Sequence, residues 1–163
     1  MNVILDASSS INLYRCELLE IVLKLASFGF VFYIGCIVKN ECGGLDGFLD
    51  LHAAQGSLAI LPDDTLTPVE FAEVLNLYDL GLGETECIAL AKQRELSVCT
   101  DDKAARKAAV QHLGEERAFG SLRLLRTCVC QGLLASQDAF LAYEMMKARG
   151  AFLPEVPLSY FEH

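Results

Sequence analysis

The stretch Gly81-Leu-Gly-Glu84-Thr-Glu86-Cys-Ile-Ala-Leu-Ala91-Lys-Gln-Arg94-Glu-Leu96-Ser-Val-Cys99-Thr100-Asp101-Asp102-Lys103-Ala-Ala-Arg106 sets one helix and one strand between two acidic knots. Gly83 is the expected helix N-cap. Glu84 and Glu86 fall in the first turn, where the helix dipole favours negative charge, and Ile88, Ala89 and Ala91 begin an apolar face that ends near Arg94. Leu96 to Cys99 is a short apolar run of the kind that fills a buried parallel strand, and it stops at Thr-Asp-Asp. Carboxylates thus arrive at the carboxyl end of a strand, the edge where open α/β sheets bind ligands. Each knot alone has an ordinary reading: the Glu pair as a capping device, the Asp pair as the N-cap of the next helix.

Upstream, Asn2-Val-Ile-Leu5 reads as a first strand that delivers Asp6, followed by Ala-Ser-Ser-Ser10 and a turn at Ile11-Asn12-Leu13. Apolar residues at 18, 19, 21, 22, 25 and 28 predict one helix over Glu17 to Phe28, stopped by Gly29. Phe30 to Ile34 is a second strand, with Glu41 beyond it. Leu45 to Gln55 reads as a helix, Ser57 to Leu61 as a strand, Pro62-Asp-Asp64 as a turn, and Pro68 to Tyr78 as an amphipathic helix. Downstream, Ala104 to Leu113 is a helix, Arg117-Ala-Phe119 an edge strand, and Leu122 to Cys130 and Ser136 to Arg149 two more helices, the last capped by Ser136. The tail Ala151 to His163 is expected to pack as loop or one short turn. Strands alternating with helices predict a single α/β domain over 1–163: a central parallel sheet of four or five strands flanked by helices in three layers.

With 163 residues, 53% of them hydrophobic, the chain is long enough and apolar enough for a buried core. No apolar run approaches the ~20 residues a bilayer span needs, and the N-terminus lacks a basic signal-type region, so a cytoplasmic protein without membrane attachment is expected. Seven cysteines without repeated Cys-x-x-Cys spacing read as reduced thiols, and His52, His112 and His163 are isolated from one another. The net charge of −9 argues against coating nucleic acid by bulk electrostatics. Its distribution is uneven: residues 1–91 carry 13 acids and 3 bases, residues 92–126 carry 5 acids and 8 bases. Lys103, Arg106, Lys107, Arg117, Arg123 and Arg126 therefore gather near the second knot, either as a phosphate-holding rim or as a solvated helix face.

Asp6 after the first strand, Glu41 after the second, Glu84 in Gly-x-Gly-Glu and Thr100-Asp-Asp102 after a later strand resemble, in order and spacing, the PIN domain family of metal-dependent nucleases. The resemblance covers nearly the whole chain. It is closest to small prokaryotic members akin to the toxins of toxin–antitoxin pairs, through Gly83 to Ala91, Asp101 to Arg106 and Gly120-Ser121-Leu122. It implies an acidic centre of Asp6, Glu41, Glu84 and Asp102, with Asp6, Glu84 and Asp102 or Asp101 on Mg²⁺ or Mn²⁺. Thr100 would support the centre by hydrogen bonding, and Lys103 and Arg106 would meet substrate phosphate, while Ser8 and Asn12 read either as further supports that hold a ligand or substrate phosphate or as local backbone caps. It also implies an endoribonuclease with RNA as substrate, an antitoxin protein as a possible partner, and a homodimer. Glu86, about 200° around the helix from Glu84, should face away.

The chemistry agrees with the resemblance. Carboxylates forced together repel unless a hard divalent cation neutralises them, and such ions activate phosphodiester hydrolysis. A phosphoacceptor receiver domain would need an acidic pair after strand one, where this chain has Asp6-Ala-Ser-Ser, and a haloacid-dehalogenase-type phosphatase would need Asp where Ser8 stands. The remaining alternative is a non-catalytic PIN-like module that binds RNA or a partner.

Overall fold

The computed structural model describes residues 1–162; His163, read above as an isolated histidine and the end of the tail, lies outside the described residues. Among the described residues five strands form one parallel sheet: β1 (Asn2–Leu5), β2 (Val31–Gly35), β3 (Ala59–Leu61), β4 (Ser97–Cys99) and β5 (Ala118–Phe119), in the order β3-β2-β1-β4-β5. All four pairings are parallel, with Ile4 opposite both Tyr33 and Val98. Val3, Ile4, Leu5, Val98 and Cys99 have at most 1% of their surface exposed, as a sheet covered on both faces requires.

The helices are α1 (Ala7–Arg15), α2 (Leu19–Leu23), α3 (Cys36–Glu41), α4 (Asp46–Ala54), α5 (Pro68–Leu77), α6 (Leu82–Arg94), α7 (Lys103–Leu113), α8 (Ser121–Cys130) and α9 (Ser136–Ala148). The chain winds from β1 out to β3, then crosses back beside β1 to β4 and out to β5. Right-handed crossovers in opposite directions put the two sets of helices on opposite faces. α6 packs on β1, β2 and β4 between α5 and α7, while α8 packs against α1, α2 and α9. The reversal of direction beside β1 opens a crevice at the carboxyl ends of β1 and β4.

Four expectations need correction. The predicted turn at residues 11–13 is part of α1, because Ser9, Ser10 and Leu13 bury one face of a helix whose polar composition hid its period. The helix expected over Glu17 to Phe28 does not start at Glu17, which lies in the left-handed region at φ 60°. It starts at Leu19, tightens into a 3₁₀ segment at Lys24–Phe28 and closes on Gly29 at φ 84°. The N-caps of α6 and α9 are Gly81 and Ala135, not Gly83 and Ser136. No helix is long and apolar enough to cross a membrane among the described residues.

Candidate active site

β1 and β4 end side by side, and each runs straight into a helix. Asp6 follows Leu5 directly; its N–H donates to the Cys99 carbonyl at 3.0 Å, which continues the ladder and fixes the carboxylate at the sheet's edge. The side chain is 2% exposed. Its Oδ2 accepts from the Ser8 hydroxyl at 2.6 Å and from the Thr100 hydroxyl at 2.8 Å. Its Oδ1 is buried and has no hydrogen-bond partner among the described residues. Asp6 occupies the N-cap position of α1 with no side-chain capping bond, so the ordinary explanation of an acid at that position fails. The same two hydroxyls hold the turn after β4. Ser8 Oγ accepts from the Asp101 N–H at 3.0 Å, and Thr100 Oγ1 accepts from the Asp102 N–H at 3.1 Å.

The two acids of that turn part company. Asp102 is the N-cap of α7, taking the Ala105 N–H on Oδ1 at 2.8 Å. Asp101, 4% exposed, turns into the protein. It accepts from Asn12 Nδ2 at 2.8 Å, from the Ser121 N–H at 2.8 Å and from the Ser121 hydroxyl, and Arg106 stands 3.7 Å away. Gly120, the N-cap of α8, has no side chain, and Asp101 caps that helix in its place. Asp101 thus ties α1, α7 and α8 together, and Asn12 is its partner, so the structure does not bring either into the centre. Ser121 stood out in the sequence only as part of Gly120-Ser121-Leu122, before the helix expected from Leu122; the signal for its role was its place beside a glycine that cannot cap.

The start of α6 at Leu82 puts Glu84 at the third helical position, where its carboxylate reaches back to the Gly81 N–H at 2.9 Å. Glu41, exposed at the end of α3, accepts the Gly83 N–H at 3.1 Å. Glu86, 5% exposed, lies on another side of α6 and accepts the N–H groups of Ile37 at 3.1 Å and Val38 at 3.0 Å, in the first turn of α3. Glu86 is therefore away from Glu84, as expected, and its task is to cap the helix that carries Glu41.

Asp6, Glu41, Glu84 and Asp102 come together electrostatically. Burial pushes the Glu84 carboxyl above the ordinary glutamate value, the Gly81 N–H pulls it back, and the charges of Asp102, Asp6 and Glu41 raise it further. Among the described residues no three His, Cys, Asp or Glu side chains stand close enough to hold one metal ion. Glu41 and Glu84 are each bonded to an N–H group at the start of α6. The donor set nevertheless fits a hard divalent cation, because every donor is a carboxylate oxygen and Asp6 Oδ1 is buried without a donor.

The basic rim is only partly free. Arg117 donates to the carbonyls of Ala91 and Leu96, and Arg106 donates to the Thr100 carbonyl at 2.8 Å, so both guanidinium groups support backbone. Lys103, Lys107, Arg123 and Arg126 are exposed. His52 bonds Ser57 and His112 faces Tyr78, both outside the acidic centre.

No curated protein and no solved structure matches this chain. A family model described as a PIN domain matches residues 2–159, nearly the full length and every residue of the acidic centre. That family has a nuclease-type fold, and its members generally use divalent metals. A parallel five-stranded sheet flanked by helices is consistent with the fold of this family, and the match spans nearly the whole chain: the chain belongs to the PIN domain family.

Proposed function

We propose that this chain is a metal-dependent endoribonuclease, hydrolysing phosphodiesters of RNA with Mg²⁺ or Mn²⁺ held by Asp6, Glu84 and Asp102 and with Glu41 beside them. The observation that carries this reading is Asp6, with one carboxylate oxygen fixed by two hydroxyls and the other buried without a donor. Such an oxygen costs stability in the absence of a cation and suits a protein that binds one. Ser8 and Thr100 hold Asp6 in orientation, and Thr100 also holds the backbone that presents Asp102. Glu41, the exposed acid of the four, is placed to accept a proton from water at the mouth of the crevice. A bound divalent ion would polarise the phosphodiester and lower the pKa of its water. We further propose the toxin of a toxin–antitoxin pair as the biological setting, supported by the Gly83–Ala91, Asp101–Arg106 and Gly120–Leu122 motifs.

A second reading, a PIN module that binds RNA or a partner without cutting, is favoured by the engagement of Glu41 and Glu84 with the N–H groups of Gly83 and Gly81. Asp6→Asn separates the two. Under the nuclease reading the metal-free variant is about 1 kcal/mol more stable than wild type, because one repelling charge is gone. Millimolar Mn²⁺ then stabilises wild type, by ~2.7 kcal/mol at a hundredfold excess over Kd, and hardly moves the variant. RNA cleavage falls to background. Equal shifts of both melting temperatures with Mn²⁺ would remove Asp6 from a metal site and favour the binding module.

A further inference from the structure

A cavity of about 650 Å³ lies between α7 and the segment Phe152–Pro154, in the size range of small-ligand sites. Val110, Leu153 and Pro154 give it an apolar wall, and Lys103, Arg106 and Lys107 stand on the α7 side. Asp101, the sequence neighbour of Asp102, lies in its lining. Phe152 is 75% exposed although its neighbour Leu153 is 9% exposed and packed into the core. The backbone is thus anchored while a large aromatic ring stands at the rim, with Lys103 Nζ 5.8 Å from its centre.

Arg106 and Pro154 are shared with an adjoining cavity of about 250 Å³ that reaches Phe119, Arg123 and Tyr160. There the Arg123 guanidinium lies 4.7 Å over Phe119 and that of Arg126 lies 5.3 Å over Tyr160. A cation therefore sits on an aromatic ring at three places along one side of a chain whose net charge is −9. Alternating positive charge and ring faces is what an unpaired nucleic-acid strand uses, its phosphates on the cations and its bases on the rings.

We propose that the cavity beside α7 takes one unstacked base of a single-stranded RNA, its ring against Phe152 and its phosphate against Lys103 and Lys107, the strand continuing past Pro154 toward Arg123 and Arg126. The choice of RNA rests on the nuclease reading above. A duplex hides its ring faces and does not fit. An acidic polypeptide matches the cations and leaves the exposed ring without purpose.

The test is fluorescence anisotropy with the full chain in EDTA. The probes are a labelled single strand of roughly ten nucleotides, an abasic ribose–phosphate strand of the same length, and poly-glutamate as competitor. The base-bearing strand should bind about tenfold tighter than the abasic one. Phe152→Ala should remove most of that difference and leave abasic binding unchanged, while Phe152→Tyr keeps it. Lys103→Gln should weaken both strands and lower the salt slope by about one. Equal affinity of Phe152→Ala and wild type for the base-bearing strand would overturn the base site, as would abasic strand or poly-glutamate binding as tightly as RNA. Cleavage of the same strand with Mn²⁺ is scored separately. A strand cut by wild type but bound without regard to Phe152 sinks the base site alone. A strand bound through Phe152 and never cut sinks the nuclease reading alone.

Discussion

Thr100→Val removes a single hydroxyl and should separate a designed acidic centre from a chance grouping of acids. Thr100 is fully buried, and its hydroxyl donates to Asp6 at 2.8 Å while accepting the Asp102 N–H at 3.1 Å. A hydrogen bond to a charged carboxylate contributes about 1.5–3 kcal/mol, and a partly buried N–H left without its acceptor costs about 1 kcal/mol more. Ser8 still donates to Asp6, so the carboxylate is not stripped. The expected loss is therefore ~2–4 kcal/mol of unfolding free energy, measured by urea denaturation of the metal-free protein. Thr100→Ser keeps the hydroxyl and loses one methyl, worth about 1 kcal/mol. The reasoning is refuted if Thr100→Val lies within ~1 kcal/mol of wild type, or if Thr100→Ser is as unstable as Thr100→Val, since the methyl and not the hydroxyl would then matter.

Stability should also fall with rising pH in the absence of metal. Burial raises the carboxyls of Glu84 and Glu86 above the ordinary value of 4.5, so the folded protein takes up these protons at higher pH than the unfolded chain. Their contribution is greatest below that ordinary value and is lost as pH rises through the folded values. Melting temperatures in EDTA should therefore drop from about pH 5 to pH 7, and Glu84→Gln should flatten the drop; a slope unchanged by the substitution would show that the Glu84 shift is absent. Two glycine substitutions should differ sharply. A Cβ at Gly35 would overlap the Glu86 carboxylate, which is buried and holds two N–H groups, so Gly35→Ala should cost ~2–4 kcal/mol. A Cβ at Gly83 would overlap the exposed Glu41 carboxylate, which can swing into water, so Gly83→Ala should cost under about 1 kcal/mol in stability and reduce RNA cleavage by displacing Glu41. Similar denaturation midpoints for the two variants would contradict this.

Much of the fold was legible because buried parallel strands leave continuous apolar runs. β1, β2 and β4 lie within two residues of their expected ends, and even the two-residue β5 falls inside Arg117-Ala-Phe119. The order of the strands was not, since nothing local in the sequence says that the segment after α6 returns beside β1. Asp6, Glu41, Glu84 and Asp102 were singled out by their places at strand and helix ends together with the family resemblance. The misassignments have physical causes. α1 is built on serines whose burial comes from tertiary packing, and the polar run Ala-Ser-Ser-Ser shows no helical period. Gly81 and Gly83 look equally fit to cap α6, and only the return bond from Glu84 to the Gly81 N–H decides between them. Asn12 looked free to hold a ligand because its partner, Asp101, lies 89 residues away.

Both acidic doublets divide their labour in the same way, and geometry does the sorting. Two positions along a helix are about 200° apart, so of Glu84 and Glu86 only one can share a side with Asp6. Successive residues at a strand's end point oppositely, which parts Asp101 from Asp102. In each doublet one acid is spent on backbone N–H groups of a neighbouring helix, Glu86 on α3 and Asp101 on α8, and these two bury their charge against donors. Of the other two, Glu84 is left where the charges of Asp102, Asp6 and Glu41 are felt. The structural acids fix the elements that carry the repelling ones: Glu86 anchors α3 and so Glu41, and Asp101 holds the turn that presents Asp102. The two halves meet at Cys87 and Leu5, whose thiol and carbonyl stand 3.8 Å apart, one residue from Glu86 and one from Asp6. Removing a structural acid should therefore cost stability and blur the centre. Removing a repelling one should cost at most the single backbone bond that Glu84 or Asp102 makes, leave the frame standing and change mainly what the centre can bind.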